Sequence, residues 1–316
     1  MTHEPARIES RPHQLASGMD HRHYTYSALP LRTSQPWPEG RWLAAYAVLF
    51  LEHWELLPPE DAVRDLRLAG EFFPDLRNWS QREYGLRIGI FRVIEALKAQ
   101  GIRPCIAANA MAVQRLPGLV KLFSDWGCEW LGHGVAATRM MHSKMPRDAQ
   151  AACINESLDA LERATGRRPQ GWISQDWGLS PDTFDLLAEA GIRYTLDCPN
   201  DEQPYWLQTT PSLLAIPFSA EWDDVQCQWV RFTEPRAHAQ IACEAFERLA
   251  RDCTGQGRSA VFNVSIHPWL SGMPSRVAAF RDMLTRLRAV PGVWWTEPAQ
   301  LHEHFRESRT QLGNGR

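Results

Sequence analysis

Apolar runs typical of buried strands alternate with helical patterns along most of this 316-residue chain. The strand-like runs are residues 41–51, 102–109, 128–134, 170–176, 192–199, 213–218, 259–269 and 293–297. The helical patterns are residues 84–101, 111–126, 147–166, 180–191, 235–252, 275–290 and 298–308. Because strands that are buried on both faces and joined by helices are typical of parallel sheets, the alternation predicts an α/β fold. Seven or eight such units favour a single β/α barrel over the alternative, an open doubly wound sheet.

The ends of the chain lack this alternation. Residues 1–38 are rich in Pro, His, Ser and Arg and have no apolar periodicity, so they are predicted to form an N-terminal arm on the surface. Residues 39–308 are predicted to form the barrel, and residues 309–316 a flexible tail. Within the first helical pattern, Ile88, Phe91, Ile94 and Leu97 recur at helical spacing.

The charge balance excludes two classes of partner. Lys and Arg number 34 against 37 Asp and Glu, a formal charge of −3, so no basic field is present to hold nucleic acid or an anionic membrane. No apolar stretch approaches the ~20 residues that span a bilayer. The seven Cys include no CxxC pair and no signal pattern opens the chain, so we expect reduced thiols, a cytoplasmic protein and a small-molecule substrate.

Polar residues recur where the predicted strands end. In a β/α barrel the carboxyl ends of the strands converge on one face and form the site. The residues placed there are Glu52, His53, Asn109, His133, Gln175, Asp176, Asp197, Asn200, Asp201, Glu221 and His267. A polar loop or a structural histidine explains any one of them alone, but their recurrence favours function for Glu52, His133 and His267. Likewise, the 14 Trp could line a pocket, although core packing accounts for most.

A carboxylate with two imidazoles supports two kinds of chemistry, and both lead to hydrolysis. Glu52, His133 and His267 could hold zinc or another divalent metal that activates water. Alternatively, they could act without metal as base, carbonyl-polarising group and acid. The sequence has no GxSxG, Gly-rich phosphate loop, GxGxxG after a strand or HExxH, which argues against serine hydrolases, nucleotide enzymes and zincins.

Three blocks of sequence point to a family. "GHG", "GWISQDWGLSPDTFDLLAEAGIRYTLDCPNDEQPY" and "IHPWLSGMPSRVAAF" occur in this order. They resemble the signature blocks of the polysaccharide deacetylase (NodB-like) superfamily, and more closely its branch of PuuE-type allantoinases and cyclic imide hydrolases. The resemblance covers about residues 40–305. It implies a distorted β/α barrel whose strand ends carry an acid pair, a histidine pair and a later histidine that acts as general acid. It also implies a homo-oligomer, with a tetramer favoured.

The resemblance implies a site with two departures. The acid pair of the first strand falls on Glu52 and His53, the first histidine of the pair on His133, and the later histidine on His267. A second carboxylate is therefore replaced by His53, and the position of the second paired histidine is Ala137. The usual metal triad of sugar deacetylases is not reproduced. A rebuilt metal site of Glu52, His133 and His267, with His53 or His142 as substitutes, and a metal-independent mechanism are about equally favoured.

The function predicted from these residues is hydrolysis of a carbon–nitrogen bond other than a peptide bond, by ring opening of a small cyclic amide or imide. Glu52 would activate water, His133 would hold a metal or polarise the carbonyl, and His267 would protonate the leaving nitrogen, with Asp176 orienting His267. The residues predicted to bind substrate are His53, Trp54, Trp177, Asp201, Tyr205 and Trp269. The alternatives are a deacetylase or deformylase of an N-acylated sugar or small natural product, and an inactive relative that binds a ligand.

Overall fold

The computed structural model describes residues 15–59, 74 and 76–313, and the side chains of these up to residue 308. Its strands are β1 Leu43–Leu51, β2 Cys105–Ala108, β3 Trp130–Gly132, β4 Gly171–Trp172, β5 Tyr194–Thr195, β6 Tyr205–Leu207, β7 Leu213–Ala215, β8 Ala260–Ile266 and β9 Val293–Trp295. Its helices are α1 Leu76–Tyr84, α2 Ile90–Ala99, α3 Ala110–Arg115, α4 Pro117–Asp125, α5 Arg147–Thr165, α6 Thr183–Glu189, α7 Pro235–Gln256, α8 Pro268–Ser271, α9 Val277–Ala289 and α10 Pro298–Gly313. Each predicted strand is present in a shortened form. The unpredicted strand is β6.

Among the described residues, nine strands form one curled sheet in the order β6-β7-β5-β4-β3-β2-β1-β8, and β9 also pairs with β1. Every pairing is parallel except that of β6 with β7. Side chains of β8 and of the adjacent β1 bind the chain after β7: Asn263 of β8 accepts from Ser219 N at 2.8 Å, and Tyr46 of β1 donates to the Pro217 carbonyl at 2.7 Å. This arrangement confirms the predicted distorted β/α barrel and not the open doubly wound sheet.

Strand β1 is buried along its whole length because it is covered on both faces. Side chains along a strand alternate between faces. Leu43, Ala45, Ala47, Leu49 and Leu51 pack among side chains of the surrounding helices. Ala44, Tyr46, Val48 and Phe50 pack inside the barrel with residues such as Phe218 and Tyr194. The same alternation sets the direction of each residue that follows the strand.

The helix predicted over residues 84–101 is interrupted by a wide π-helical turn at Gly85–Gly89. A wide turn adds a residue and so rotates the apolar stripe that follows it. Ile94 and Leu97 are buried as expected, but Ile88 and Phe91 are nearly half exposed. The two glycines lie against the chain after β8, since a Cβ on Gly85 would lie 2.5 Å from Trp269 N and one on Gly89 2.2 Å from Pro268 O.

The described part of the N-terminal segment lies against the barrel. Trp37 donates to the Ala260 carbonyl at 3.0 Å, and Arg32 forms an ion pair with Asp201 at 2.6 Å. Residues 1–14 of the predicted arm lie outside the described residues. At the other end, α10 continues to Gly313, into the segment predicted as a tail. In the described part of the chain, no helix combines the length and apolarity that a bilayer crossing requires.

Candidate active site

Three strands place their next inward-facing residue at one mouth of the barrel. After β1, the series of interior residues ends in Phe50 and continues to Glu52. After β3, interior Leu131 is followed two positions later by His133, and in β8 interior Val261 begins the series that reaches His267. Because side chains alternate, this register gives Glu52, His133 and His267 a common direction. The structure thus brings together the three residues favoured by sequence.

Glu52 is buried and bound on one oxygen. Its Oε1 accepts from Gln175 Nε2 at 2.7 Å and lies 3.4 Å from His133 Nε2. Burial alone would raise the pKa of Glu52, but the hydrogen bond to His133 and the charge of His267 outweigh it and lower the pKa to about 2. Glu52 is therefore a carboxylate at any ordinary pH.

His133 is held by a backbone carbonyl. Its Nδ1 lies 2.7 Å from the Ile173 carbonyl oxygen, which can only accept, so Nδ1 carries a proton and donates. Its Nε2 then faces Glu52. The ring is 1% exposed and lies beside Phe50, with ring centroids 5.2 Å apart. His133 can share a proton with Glu52 but has little freedom to turn.

His267 is fixed by Asp224, which sequence reasoning missed. His267 Nδ1 lies 2.6 Å from Asp224 Oδ1, and Oδ2 accepts from the His267 backbone N at 2.7 Å and from Ser271 Oγ at 2.8 Å. Phe50 stacks on the imidazole at 4.1 Å. Burial alone would lower the pKa of His267, but Asp224 and Glu52 outweigh it and raise the pKa to about 9. His267 is thus an imidazolium at neutral pH, with Nε2–H left for a substrate.

The predicted orienting residue was wrong. Asp176 lines the cavity, but Asp224 binds Nδ1 of His267. Glu221 was predicted as the site residue that follows the sixth strand. In the structure, however, Glu221 is exposed and paired with Arg231. The signal available was the adjacent pair Asp223 and Asp224 in "EWDD". Both are buried, and burial together with the neighbouring Asp224 raises the pKa of Asp223 to about 6.

These groups face a cavity of about 180 Å³. It is lined by Phe50, Glu52, Trp54, Arg82, His133, Ala137, Met140, Ile173, Ser174, Gln175, Asp176, Trp177, Phe218, Asp223, Val225, Trp229, His267 and Trp269. Four tryptophans and two phenylalanines give it aromatic walls. Such a space suits a small, flat molecule that offers a few polar atoms.

A cation lies among the tryptophans. The Arg82 guanidinium is 3.3 Å from the ring centre of Trp269, 4.8 Å from that of Trp54 and 5.0 Å from that of Trp229. Arg82 is 5% exposed. Stacking of this kind holds aromatic planes in place. Arg82 and Trp229 were not predicted, and no sequence motif marks them.

Three of the residues predicted to bind substrate line this cavity, namely Trp54, Trp177 and Trp269. The other three do not. His53 follows the outward register of β1, and its ring lies near enough to Arg115 that burial and this charge lower its pKa. Asp201 and Tyr205 line a different cavity, between the N-terminal segment and α10. They were misplaced because the chain after β5 leaves the barrel mouth to form the edge strand β6.

Comparisons with known proteins agree on one superfamily. No family model matches the chain. A putative polysaccharide deacetylase of Schizosaccharomyces pombe is 22% identical over 229 residues, 67% of this chain and 71% of that protein. The peptidoglycan deacetylase of Helicobacter pylori is 21% identical over 272 residues, 75% of this chain and 89% of that protein. The crystal structure of PuuE allantoinase has a TM-score of 0.76 at 24% identity, covering 86% of this chain and 92% of that one.

The chain is thus similar in sequence to polysaccharide deacetylases and similar in fold to PuuE allantoinase. The predicted resemblance to the polysaccharide deacetylase superfamily is confirmed, and the likeness in fold to PuuE allantoinase agrees with the predicted branch. The predicted class, hydrolases of carbon–nitrogen bonds other than peptide bonds, agrees with the names of these relatives.

The metal ligands predicted from the residues were Glu52, His133 and His267. Among the described residues, the one group of three His, Cys, Asp or Glu with donor atoms within 4.8 Å of one another is Asp223, Asp224 and His267. Glu52, His133 and His267 share the barrel mouth, but their donor atoms do not all lie within this distance of one another. Ala137 supplies no ligand. The group that has the right spacing already uses Asp224 Oδ1 and Oδ2 for His267 and Ser271. Dependence on zinc or another divalent metal stays a prediction.

Proposed function

We propose that this protein opens the ring of a small cyclic amide or imide with water. The observation that carries the proposal is that a carboxylate, Glu52, and an imidazolium, His267, face one small aromatic cavity. A base and an acid kept in opposite protonation states are what hydrolysis of a carbon–nitrogen bond requires. The modest size of the cavity favours a single ring over a polymer.

The reaction follows from the positions of these groups. Glu52 orients a water molecule and takes one of its protons as the oxygen adds to the ring carbonyl carbon. The carbon–nitrogen bond then breaks, and His267 Nε2–H donates its proton to the departing nitrogen. The product is an open chain that carries a carboxylic acid together with an amide, when the substrate is an imide, or an amine, when it is a cyclic amide. The proton on Glu52 returns to His267 through solvent.

His133 and Gln175 hold Glu52 for this step. Both lie against Oε1, and in the described part of the chain no residue donates to Oε2. Oε2 is therefore the oxygen that binds the attacking water. With a pKa of about 2, Glu52 is a weak base, so it mainly orients the water and accepts the proton only as the oxygen adds to the carbonyl carbon.

A deacetylase is the second candidate, and the names of two relatives favour it. The Helicobacter pylori relative is a peptidoglycan deacetylase, and the Schizosaccharomyces pombe relative is a putative polysaccharide deacetylase. Removing an acetyl group from a sugar nitrogen breaks the same type of bond. The same base and acid would serve.

A substrate panel separates these candidates. Purified protein is assayed on hydantoin, allantoin, succinimide, phthalimide and N-acetyl sugars, with and without a chelator, and its metal content is measured. Turnover of a cyclic compound supports the proposal, and turnover confined to acetyl sugars replaces it with deacetylation. Absence of turnover on the whole panel, with tight binding of one compound, indicates the inactive ligand-binding relative. Loss of turnover with the chelator, restored by zinc, establishes metal dependence.

A further inference from the structure

Asn109 lies in the row of residues that directly follows the parallel ladder of β1, β2 and β3. The ladder ends at Ala108 of β2, which pairs with the last residue of β1 and with the last residue of β3. One position further along, the same register places Asn109 between Glu52 and His133. Asn109 continues the inward-facing series of β2 that includes Ala107. It is 0% exposed and lies behind the cavity wall.

The side chain of Asn109 is not used to start the helix that follows it. Asn109 immediately precedes α3, and an asparagine at such a position normally accepts a hydrogen bond from the first turn of the helix. Among the described residues, it makes no such bond. The first two backbone N–H groups of α3 donate instead to the carbonyls of Gly134 and Val135, at 3.0 Å each. The side-chain amide of Asn109 is therefore left for another role.

The amide of Asn109 joins the chain on both sides of β2. Its Oδ1 accepts from the His53 backbone nitrogen at 3.1 Å, and its Nδ2 donates to the His133 carbonyl. A backbone N–H can only donate and a carbonyl can only accept, so these two partners fix the orientation of the amide. The bonds hold the backbone that carries Glu52 beside the backbone that carries His133. The facing atoms of the two side chains, Glu52 Oε1 and His133 Nε2, are 3.4 Å apart.

The same amide faces Gln175. Asn109 Nδ2 lies 3.5 Å from Gln175 Oε1, at the long limit of a hydrogen bond. With its oxygen toward this donor, Gln175 turns Nε2 to Glu52 Oε1, which accepts at 2.7 Å. In the opposite orientation, two acceptors would face each other, namely the Gln175 oxygen and the Glu52 carboxylate. Asn109 thus favours the orientation in which Gln175 holds Glu52.

The two backbone bonds account for an asparagine at position 109. Asn, Asp and Ser are about equally suited to the residue before a helix, so the start of α3 does not choose among them. An ionised Asp would accept from the His53 nitrogen but has no donor for the His133 carbonyl. A Ser side chain is shorter and offers a single oxygen in place of an amide. The choice of Asn is therefore explained by the site and not by the helix.

We propose that Asn109 is a positioning residue for Glu52. It fixes the separation of Glu52 and His133 and directs the Gln175 amide to Glu52 Oε1, so that Oε2 is the oxygen left for water. This inference rests on the proposed function, in which Glu52 is the base. Asn109 lies behind the cavity wall and touches no substrate. Its loss therefore lowers kcat and leaves KM nearly unchanged.

An NMR measurement tests the contacts without a substrate. The side-chain amide signals of Asn109 and Gln175 are assigned in the unmodified protein. We expect both amides to exchange with solvent at least about 10-fold more slowly than exposed amides, because each hydrogen bond must open first. Asn109→Asp keeps the size of the side chain and removes the donor, so it should displace the Gln175 signal. Rapid exchange in the unmodified protein, or an undisplaced Gln175 signal in the variant, overturns the inference.

Kinetics connect these contacts to the reaction. Asn109→Asp and Asn109→Ser are assayed on the panel compound that the unmodified protein hydrolyses fastest, and melting temperatures check folding. Asn109→Ser keeps a residue type that suits the start of a helix, so it separates the site from α3. We expect kcat to fall about 10²-fold in each variant and KM to change less than about 3-fold, since a displacement of about 1 Å can lower a rate by that factor.

Asn263→Asp is the matched control. Asn263 is also buried, and its amide also binds a backbone N–H and a carbonyl, those of Ser219, away from the cavity. We expect its kcat to stay within about 3-fold of the native value, since it does not hold a reacting group. An equal loss in Asn263→Asp, or an unchanged kcat in both variants of Asn109, contradicts the inference.

The two measurements separate this inference from the proposed function. Turnover confined to acetyl sugars, with the expected loss in the variants of Asn109, rejects ring opening and retains the role of Asn109, because the same base serves deacetylation. If no panel compound is hydrolysed, the proposed function is rejected and the amide signals alone decide whether Asn109 holds Gln175 against Glu52.

Discussion

Asp224 holds His267 through three hydrogen bonds, two of them to His267 itself. Its carboxylate lies 2.6 Å from His267 Nδ1 and 2.7 Å from the His267 backbone nitrogen, and it also accepts from Ser271 Oγ at 2.8 Å. The bond to Nδ1 holds this ring nitrogen against Asp224. The other nitrogen, Nε2, is thereby turned to the cavity, where the proposed reaction needs a proton donor.

Substitution of Asp224 by Asn should remove this control. The amide cannot stabilise the imidazolium, so we expect kcat to fall on the order of 10²-fold at neutral pH. The alkaline limb of the pH profile should also move below pH 9. Steady-state kinetics across pH check both effects, and the melting temperature checks folding. Glu221→Gln is the control, because Glu221 is exposed and paired with Arg231; an equal loss in both variants would contradict the role of Asp224.

The pH dependence of the unmodified protein follows from His267. Its folded-state pKa is raised from 6.5 to about 9, so the proton is present below pH 9 and is lost above it. We therefore expect kcat/KM to decline as the pH rises through about 9. The same shift adds stability that is complete below pH 6.5 and disappears as the pH passes 9. An alkaline limb near pH 6.5 would show that Asp224 and Glu52 do not sustain the charged ring.

Glu52→Gln should abolish most of the activity at every pH. The pKa of Glu52 is lowered to about 2, so the native residue is a carboxylate throughout the accessible range and the variant never is. Loss of a positioned base lowers rates on the order of 10²- to 10⁴-fold. Single-turnover rates measure the effect. Glu55→Gln is the control, since Glu55 is paired with Arg139. Retention of more than a tenth of the rate would exclude Glu52 as the base.

The period of two along the strands explains what the sequence could predict. The sequence of β1 is one apolar run, which predicts a parallel strand that is buried on both faces. The repeated alternation of such strands with helices predicts the barrel. The same period turns Glu52 inward and His53 outward. A sequence reading that named both as site residues did not apply this alternation past the end of the strand.

The period of two could not predict the site residues that do not directly follow a strand. Asp224 comes from the segment between β7 and α7, where no periodicity relates it to a strand end. Arg82 lies on α1 and enters the cavity because of tertiary packing against Trp269. Asp201 and Tyr205 resembled rim residues in sequence, but β6 pairs antiparallel at the edge of the sheet and carries them away.

Gly89→Ala should disturb the segment that carries His267. A Cβ on Gly89 would lie 2.2 Å from the Pro268 carbonyl oxygen and 3.4 Å from Gly272 Cα, so α8 must move. We expect a loss of about 1–3 kcal/mol in the free energy of unfolding and a lower kcat. Denaturant unfolding and kinetics measure the two effects. Gly118→Ala in α4 is the control, since nothing lies within 4 Å of its Cβ; Gly89→Ala matching that variant in both measurements would contradict the close packing.

The far end of the barrel offers a test of stability that is separate from the site. Glu129 accepts from the Tyr194 hydroxyl and from Ala299 N, at the start of α10. Burial of the carboxyl raises the pKa of Glu129 from 4.5 to about 7, because Tyr194 and Ala299 only partly offset it. Because the pKa is raised, the contribution of Glu129 to stability is complete below pH 4.5 and is lost as the pH rises through about 7.

Glu129→Gln cannot ionise, so the variant should be as stable as the native protein at pH 4.5 and more stable than it at pH 8. We expect a gain of about 1–3 kcal/mol, because some solvent exposure of the residue reduces the full effect. Melting temperatures at the two pH values measure the effect, and Glu189→Gln is the control because Glu189 is exposed. If Glu129→Gln is less stable than the native protein at pH 8, the ionised carboxylate stabilises the fold and the prediction is wrong.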